Sequence, residues 1–123
     1  MDKFQALQSF WSSFGIPAYD ENTVPTGNDA PEFPYITYDA VISNFDNKVA
    51  MSASIWDYGT SWGRVTAKLA EIQSAIGNGG KILPIDDGAF WITTGRPFAQ
   101  RMNDDNDMIR RVFMNISAEF ITA

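Results

Sequence analysis

Residues 33–76 constrain the fold more than any other stretch, because two runs with a period of two feed directly into one run with a period near 3.6. Ile36, Tyr38, Ala40 and Ile42 share one face of a first strand. Val49, Met51, Ala53 and Ile55 share one face of a second, and Asn44, Asp46 and Asn47 supply turn residues between them. Asp57 to Ser61 then break the strand, with Thr60 or Ser61 placed to cap, and Val65, Leu69, Ile72 and Ile76 follow at helical spacing. A half-buried hairpin that runs at once into an amphipathic helix implies a helix laid on a sheet, since neither element buries its apolar side alone.

The flanking sequence adds elements of the same two kinds. Phe4, Leu7, Trp11 and Phe14 predict a first helix over 2–14, stopped by Gly15 and Pro17. Ile16 to Tyr19 suit a short edge strand, where a proline is tolerated. Residues 20–34 hold Pro25, Pro31 and Pro34 together with Asp20, Glu21, Asp29 and Glu32, which marks an extended surface connection. Gly77-Asn78-Gly79-Gly80 ends the second helix, and Lys81–Ile85 and Ala89–Thr94 form a hairpin around Asp86-Asp87-Gly88. Within that hairpin Phe90 and Ile92 point one way and Trp91 the other. Residues 95–109 read as a polar excursion before a long last strand, in which Val112, Met114, Ile116, Ala118 and Phe120 share a face. The expectation is one domain over 1–123 of α+β class: a two-layer sandwich, with a mixed or mainly antiparallel sheet of about five strands and two helices on one face.

Composition removes most chemistry. The 123 residues contain no histidine and no cysteine, which excludes disulfides, thiol nucleophiles, zinc sites built on Cys or His, Ser-His-Asp triads and imidazole bases. The start, MDKFQALQSFWSSF, lacks the features of a signal peptide, and no apolar run approaches the ~20 residues a bilayer needs, so a cytoplasmic setting without membrane contact is expected. With 15 acids against 9 bases the net charge is −6, a poor footprint for phosphate-backbone binding and for sequence-specific nucleic-acid recognition. The bases are not evenly spread: Arg96, Arg101, Arg110 and Arg111 fall in the last third, around an acidic run.

Three constellations resemble sites and have plainer explanations. Asp104, Asp105 and Asp107 crowd oxygens that a hard cation accepts, but the run lacks the glycine and spaced glutamate of a calcium loop and suits a solvated turn, so no metal is expected. Asp86 and Asp87 belong to the Asp-Gly turn, and with Asp57 they offer no nucleophile paired with a base, so no catalytic residues and no cofactor are expected. Gly77-Asn78-Gly79-Gly80-Lys81 follows a helix, whereas a phosphate loop opens one. The aromatics are more distinctive. Trp56 and Tyr58 alternate with the core-facing set Met51, Ala53 and Ile55, and Trp91 alternates with Phe90 and Ile92, so large rings fall on the sheet face that water would otherwise touch. Phe113 and Ile121 pose the same question, while Trp62 at the helix start suits a core position equally well.

The order of these pieces resembles the tail terminator, or tail completion, proteins of long-tailed bacteriophages: an N-terminal helix, a Pro-rich acidic loop, PYITYDAVIS, the strand ending SIWDYGTSWGRV, a lone helix, a Gly-rich turn and hairpin, and an Arg-bearing loop before a long final strand. Pro34-Tyr35-Ile36-Thr37-Tyr38 and Ile55-Trp56-Asp57 carry the likeness most clearly, and head–tail connector and minor capsid proteins share similar pieces. The resemblance implies a structural, non-enzymatic virion protein assembled in the host cytoplasm and resident in the tail. Such a subunit forms a hexameric ring on the tail tube, ends its elongation, and presents a docking surface to the head–tail connector. An acidic chain around the channel would repel DNA phosphates and let a genome slide past.

A cyclic ring needs two different patches per subunit. Trp56, Tyr58 and Trp91 are the expected first patch; Arg96, Arg101, Arg110 and Arg111 are the second, meeting Glu21, Asp29 or Glu32 of a neighbour. The alternative from a different class is a monomeric binding module that uses the exposed aromatics for a small ligand or peptide.

Overall fold

The computed structural model describes residues 2–39, 49–86 and 88–122. In chain order it contains α1 (Lys3–Ser12), β1 (Ala18–Asp20), a 3₁₀ turn (Gly27–Asp29), β2 (Tyr35–Tyr38), β3 (Val49–Tyr58), α2 (Gly63–Ile76), β4 (Lys81–Ile85), β5 (Gly88–Met102) and β6 (Ile109–Thr122). All six strands join one sheet in the order β1-β2-β3-β6-β5-β4. β1 runs parallel to β2 and every other pair is antiparallel, so the sheet is mixed and the class is α+β. There are six strands rather than about five, because β1 pairs in full register with β2, Ala18 to Ile36 and Asp20 to Tyr38. The Ala40 and Ile42 positions of the first predicted strand, and the turn at Asn44, Asp46 and Asn47, lie outside the described residues.

α1 begins in a reciprocal cap. The Gln5 N–H donates to Asp2 Oδ1 at 2.8 Å and the Asp2 N–H donates to Gln5 Oε1 at 2.9 Å, satisfying two otherwise orphaned donors. Its buried face is Ala6, Leu7, Phe10 and Trp11. Phe4, expected on that stripe, is instead 57% exposed, and Phe10 takes the place it was assigned. α2 buries Val65, Ile72 and Ile76, with Leu69 at the margin of the core. Neither Thr60 nor Ser61 is its N-cap residue: that position falls one residue later, at Trp62, and the Ser61 hydroxyl accepts the N–H of Gly63, the first helical residue, at 3.0 Å. Gly77 closes α2 with φ of 71°, a conformation that only glycine adopts freely.

α1 packs against both edge strands, β1 and β4, while α2 lies on β3, β5 and β6. In a flat six-stranded sheet those edges would stand about 24 Å apart, more than twice the width of a helix. The sheet therefore curls into a half-barrel, with both helices in its concave side and the apolar core between. The inward residues of the central strands are those of the alternating sequence pattern: Met51, Ala53 and Ile55 from β3, Val112, Met114, Ile116 and Ala118 from β6, Phe90 and Ile92 from β5.

One segment departs from the sequence expectation. Residues 95–102 belong to β5, and only 103–108 form the connection to β6. Between Thr94, paired with Ile116, and Ala99, paired with Met114, the residues from Gly95 to Phe98 stand opposite Asn115 alone. The bulge is held by Asn115, whose Nδ2 donates to the Pro97 carbonyl at 3.0 Å, and by Gly95, where a Cβ would come within 2.9 Å of the Asn115 Cβ. Gly95 and Pro97 thus sit inside a strand interruption rather than at a strand end.

Candidate functional site

Strand alternation sends Trp56 outward from β3, between neighbours fixed by register: Tyr35 of β2 on one side and Arg111 of β6 on the other. Tyr35 and Trp56 stack with centroids 6.3 Å apart and planes 15° from parallel. The Arg111 guanidinium carbon stands 4.5 Å from the Trp56 ring centre and 5.7 Å from that of Phe113. Tyr19 meets Tyr35 edge-on at 6.2 Å, and Phe33 bridges Tyr35 at 5.3 Å and Tyr58 at 5.8 Å. Aromatic rings with one arginine among them thus line the outer face of β2, β3 and β6.

Polar contacts hold that face in place. Trp56 Nε1 donates to Thr37 Oγ1 at 2.8 Å, and Arg111 Nε donates to Ser54 Oγ at 3.1 Å. Ser54 is buried although it points outward, because the rings and the guanidinium cover it. Tyr35 feels the same covering: loss of water raises its phenol pKa above the ordinary 10.0, and the neighbouring Tyr19 raises it further. Tyr58, by contrast, is 48% exposed, which leaves a large ring at the rim of the patch.

The residues expected to act as interface fall into separate groups. Trp56, Tyr58 and Arg111 share the outer patch just described. Trp91 also points outward, beside Ile82 and Glu119, but its register lies eight residues further along β6 than that of Trp56, about 27 Å away. Its indole N–H donates to the Gly79 carbonyl at 2.9 Å, so Trp91 also anchors the turn before β4. Arg96 projects from the β5 bulge and is exposed. Arg101 and Arg110 face the other way, into the open end of the half-barrel, where their register partners are the buried Val112 and Asp57.

There the two arginines meet Trp62. The Arg101 guanidinium carbon lies 4.6 Å from the Trp62 ring centre and that of Arg110 lies 5.4 Å away. Arg110 Nη1 donates to the carbonyls of Asp107 and Ile109, and its Nε is buried without an acceptor. Arg64, at the start of α2, is committed elsewhere: its Nε and Nη2 clasp both oxygens of the Asp57 carboxylate, which is itself buried. Among the described residues no carboxylate forms an ion pair with Arg96, Arg101, Arg110 or Arg111.

The role of Trp62 was not legible in the sequence. An aromatic at a helix start suits a core position, and Arg101 and Arg110 reach it only because β5 and β6 pass beneath that helix end. Phe33, Tyr19 and Tyr35 had a signal available, the alternation of Tyr35 and Thr37 with the inward Ile36 and Tyr38.

The acidic stretches are otherwise employed or dispersed. In the 103–108 turn Asp104 Oδ1 accepts the Asn106 N–H and Asn106 Oδ1 accepts the Met108 N–H, the local bonding of an Asx turn. Among the described residues no three acids converge on a point that would hold a metal ion. A groove of about 600 Å³ runs between α1 and β4, where Ser9, Ser13, Lys81 and Asp86 fringe Phe10 and Leu83; the Ser13 hydroxyl is already bonded to the Phe10 carbonyl. No described helix is long and apolar enough to cross a membrane.

No protein-family model matches the chain, and no curated protein matches it. Solved structures do share its fold. The chain is similar to one of a protein known only by a serial designation, with a TM-score of 0.52 and 14% identity over 97% of this chain and 92% of the other. At that identity the likeness shows a shared fold alone: the curled α+β arrangement recurs over nearly the full length of both chains.

Proposed function

We propose that this chain is a structural subunit of a ring that caps the tail tube of a long-tailed bacteriophage, ending tube growth and offering a surface for head docking. The observation that carries the reading is the outer sheet face. Tyr19, Tyr35, Trp56, Tyr58 and Phe113 occupy positions that a solvated sheet fills with polar side chains, Phe33 packs beside them, and they surround an arginine that forms no ion pair among the described residues. Aromatic residues and arginine are the side chains most enriched in protein interfaces.

Two further features support it. The helices on one side of the sheet give the layered α+β arrangement expected from the order of the elements, here with a curled sheet, and a small subunit of both element kinds is what the tail-terminator resemblance implies. The exposed acids Glu21, Asp29 and Glu32 lie on the connection between β1 and β2 at one end of the sheet, whereas the four arginines lie on β5 and β6 beyond its middle, which is the polarity a head-to-tail contact uses. In this proposal the partners are further copies of the chain, a tail tube protein and a head–tail connector protein, with the virion tail as location. Related connector roles would use the same surfaces.

Light scattering with negative-stain microscopy tests the proposal. The wild-type chain, alone or added to tube protein, is expected to form six-fold rings. Trp56→Ala should abolish them while leaving the circular dichroism spectrum intact. Rings unchanged in that variant, or a chain that neither self-associates nor binds tubes, would refute it.

A further inference from the structure

Two like-charged side chains held on one ring, neither in an ion pair with a described carboxylate, form an unusual arrangement for a chain of net charge −6. Arg101 of β5 and Arg110 of β6 project from the same side of adjacent strands onto Trp62, so each guanidinium sits in the field of the other. The backbone carbonyls of Asp107 and Ile109 fix Arg110 through Nη1. Its Nε is buried without an acceptor, and its Nη2 makes no hydrogen bond among the described residues. The surroundings do not neutralise the pair. Arg64 and Asp57 satisfy each other. Asp104 and Asp107 line the same depression, yet neither comes within ion-pair distance of Arg110. The first turn of α2 carries no acid, so the positive end of that helix adds to the field instead of opposing it.

We infer that Trp62, Arg101 and Arg110 form a preorganised carboxylate clamp, and that its occupant is the acidic connection between β1 and β2 of a second copy of this chain. Charge complementarity argues for that occupant. Glu21, Asp29 and Glu32 are exposed and, among the described residues, form no ion pair. Strand β3 separates that connection from β6 and β5, so in the strand order the two sets stand about 10–19 Å apart, beyond ion-pair reach within one chain. Because stacking and backbone contacts already order the guanidiniums, little side-chain freedom is lost on binding. The inference rests on the ring reading and sharpens it: the outer aromatic face supplies contact area, and the clamp supplies direction, since an acidic edge meeting an arginine clamp gives the heterologous contact from which a ring is built when the rotation between subunits closes.

Complementary charge reversal, read by sedimentation velocity and mass photometry, tests it. Arg101 is exposed, so Arg101→Glu should fold, as a circular dichroism melt checks; Arg101→Glu/Arg110→Glu is the stronger companion. The acidic partner variant is Glu21→Lys/Asp29→Lys/Glu32→Lys. Each variant alone should self-associate at least tenfold more weakly than wild type. A one-to-one mixture should recover assembly in even-numbered species only, because the reversed clamp of one chain accepts the reversed edge of the other. Three results would overturn the clamp: wild-type assembly by Arg101→Glu/Arg110→Glu, no recovery on mixing, or loss of inorganic phosphate or oligonucleotide binding with self-association intact, which would mark a phosphate site. Should Trp56→Ala abolish rings while the clamp variants keep them, the ring reading survives without the clamp. Should wild type remain monomeric to about a millimolar and on tubes, both fall.

Discussion

Removing Arg64 should destabilise the protein more than neutralising Asp57, although the two form one ion pair. The reason is unequal burial: the Asp57 side chain is 4% exposed and that of Arg64 is 62% exposed. In Arg64→Met the carboxylate stays buried with one remaining donor, the Tyr58 N–H at 2.8 Å. Breaking a fully buried pair in this way costs about 3–5 kcal/mol, and an exposed pair contributes about 0–1 kcal/mol. With one partner in each class, a cost of about 2 kcal/mol is expected, because water can enter where the exposed guanidinium stood. In Asp57→Asn the arginine swings into solvent and the amide oxygen still accepts the Tyr58 N–H. What remains is one buried amide donor without a partner, about 1 kcal/mol. The double variant should then cost less than the sum of the singles by about 1 kcal/mol, measured from urea unfolding midpoints at constant m. Strict additivity, or an Arg64→Met cost below about 0.5 kcal/mol, would show that the pair acts as a surface contact and that this account of the β3–α2 connection is wrong.

Two further perturbations read other parts of the structure. Gly95→Ala drives a methyl group to 2.9 Å from the Asn115 Cβ and 3.0 Å from its carbonyl oxygen, so the bulge must shift at about 1–3 kcal/mol; an unchanged denaturation midpoint would refute the close approach. Burial raises the phenol pKa values of Tyr35 and Tyr38 above 10.0, with smaller contributions from Tyr19 and Asp20 respectively. The folded chain therefore keeps these protons after the unfolded chain has begun to lose them, so this contribution to stability is intact below pH 10 and declines as pH rises above it. Thermal melts from pH 9 to 11 should show a shallower decline in Tyr35→Phe than in wild type, and equal slopes would contradict the assignment.

What the sequence disclosed follows the range of each interaction. Strand β3, helix α2 and the inward face of β6 were readable because each is set by contacts a few residues apart, and their buried positions match the alternating and helical stripes. The second half of β5 was hidden. Gly95 and Pro97 signal a stop when read locally, and only their position opposite Asn115 turns them into a bulge within a longer strand. Strand order was equally hidden, since the pairing of β3 with β6 joins residues about half the chain apart. For the candidate site the outward direction of Trp56 and Tyr58 followed from strand parity, and the same parity divides Arg110 from Arg111, which the sequence reading groups as one patch. Arg110 and Arg111 are adjacent in sequence and therefore emerge on opposite faces, one against Trp62 and the other against Trp56.

That division bears on the choice between a ring subunit and a ligand-binding module. Small ligands are held in concavities that bury most of their surface. Here the two helices fill the concave side of the half-barrel, and the arginine-bearing aromatic patch lies on its outer side. A curled sheet offers rings on that side no walls to enclose a ligand; it offers a broad surface fixed by the Trp56–Thr37 and Arg111–Ser54 hydrogen bonds. Such a surface suits another protein, because area and preordered side chains favour a partner large enough to cover several strands at once. The binding-module reading would need the groove between α1 and β4 instead, and none of the outward tryptophans or tyrosines lines it. The sheet aromatics and that groove are therefore separate features, and a ligand seated in the groove would leave the aromatic face uncovered.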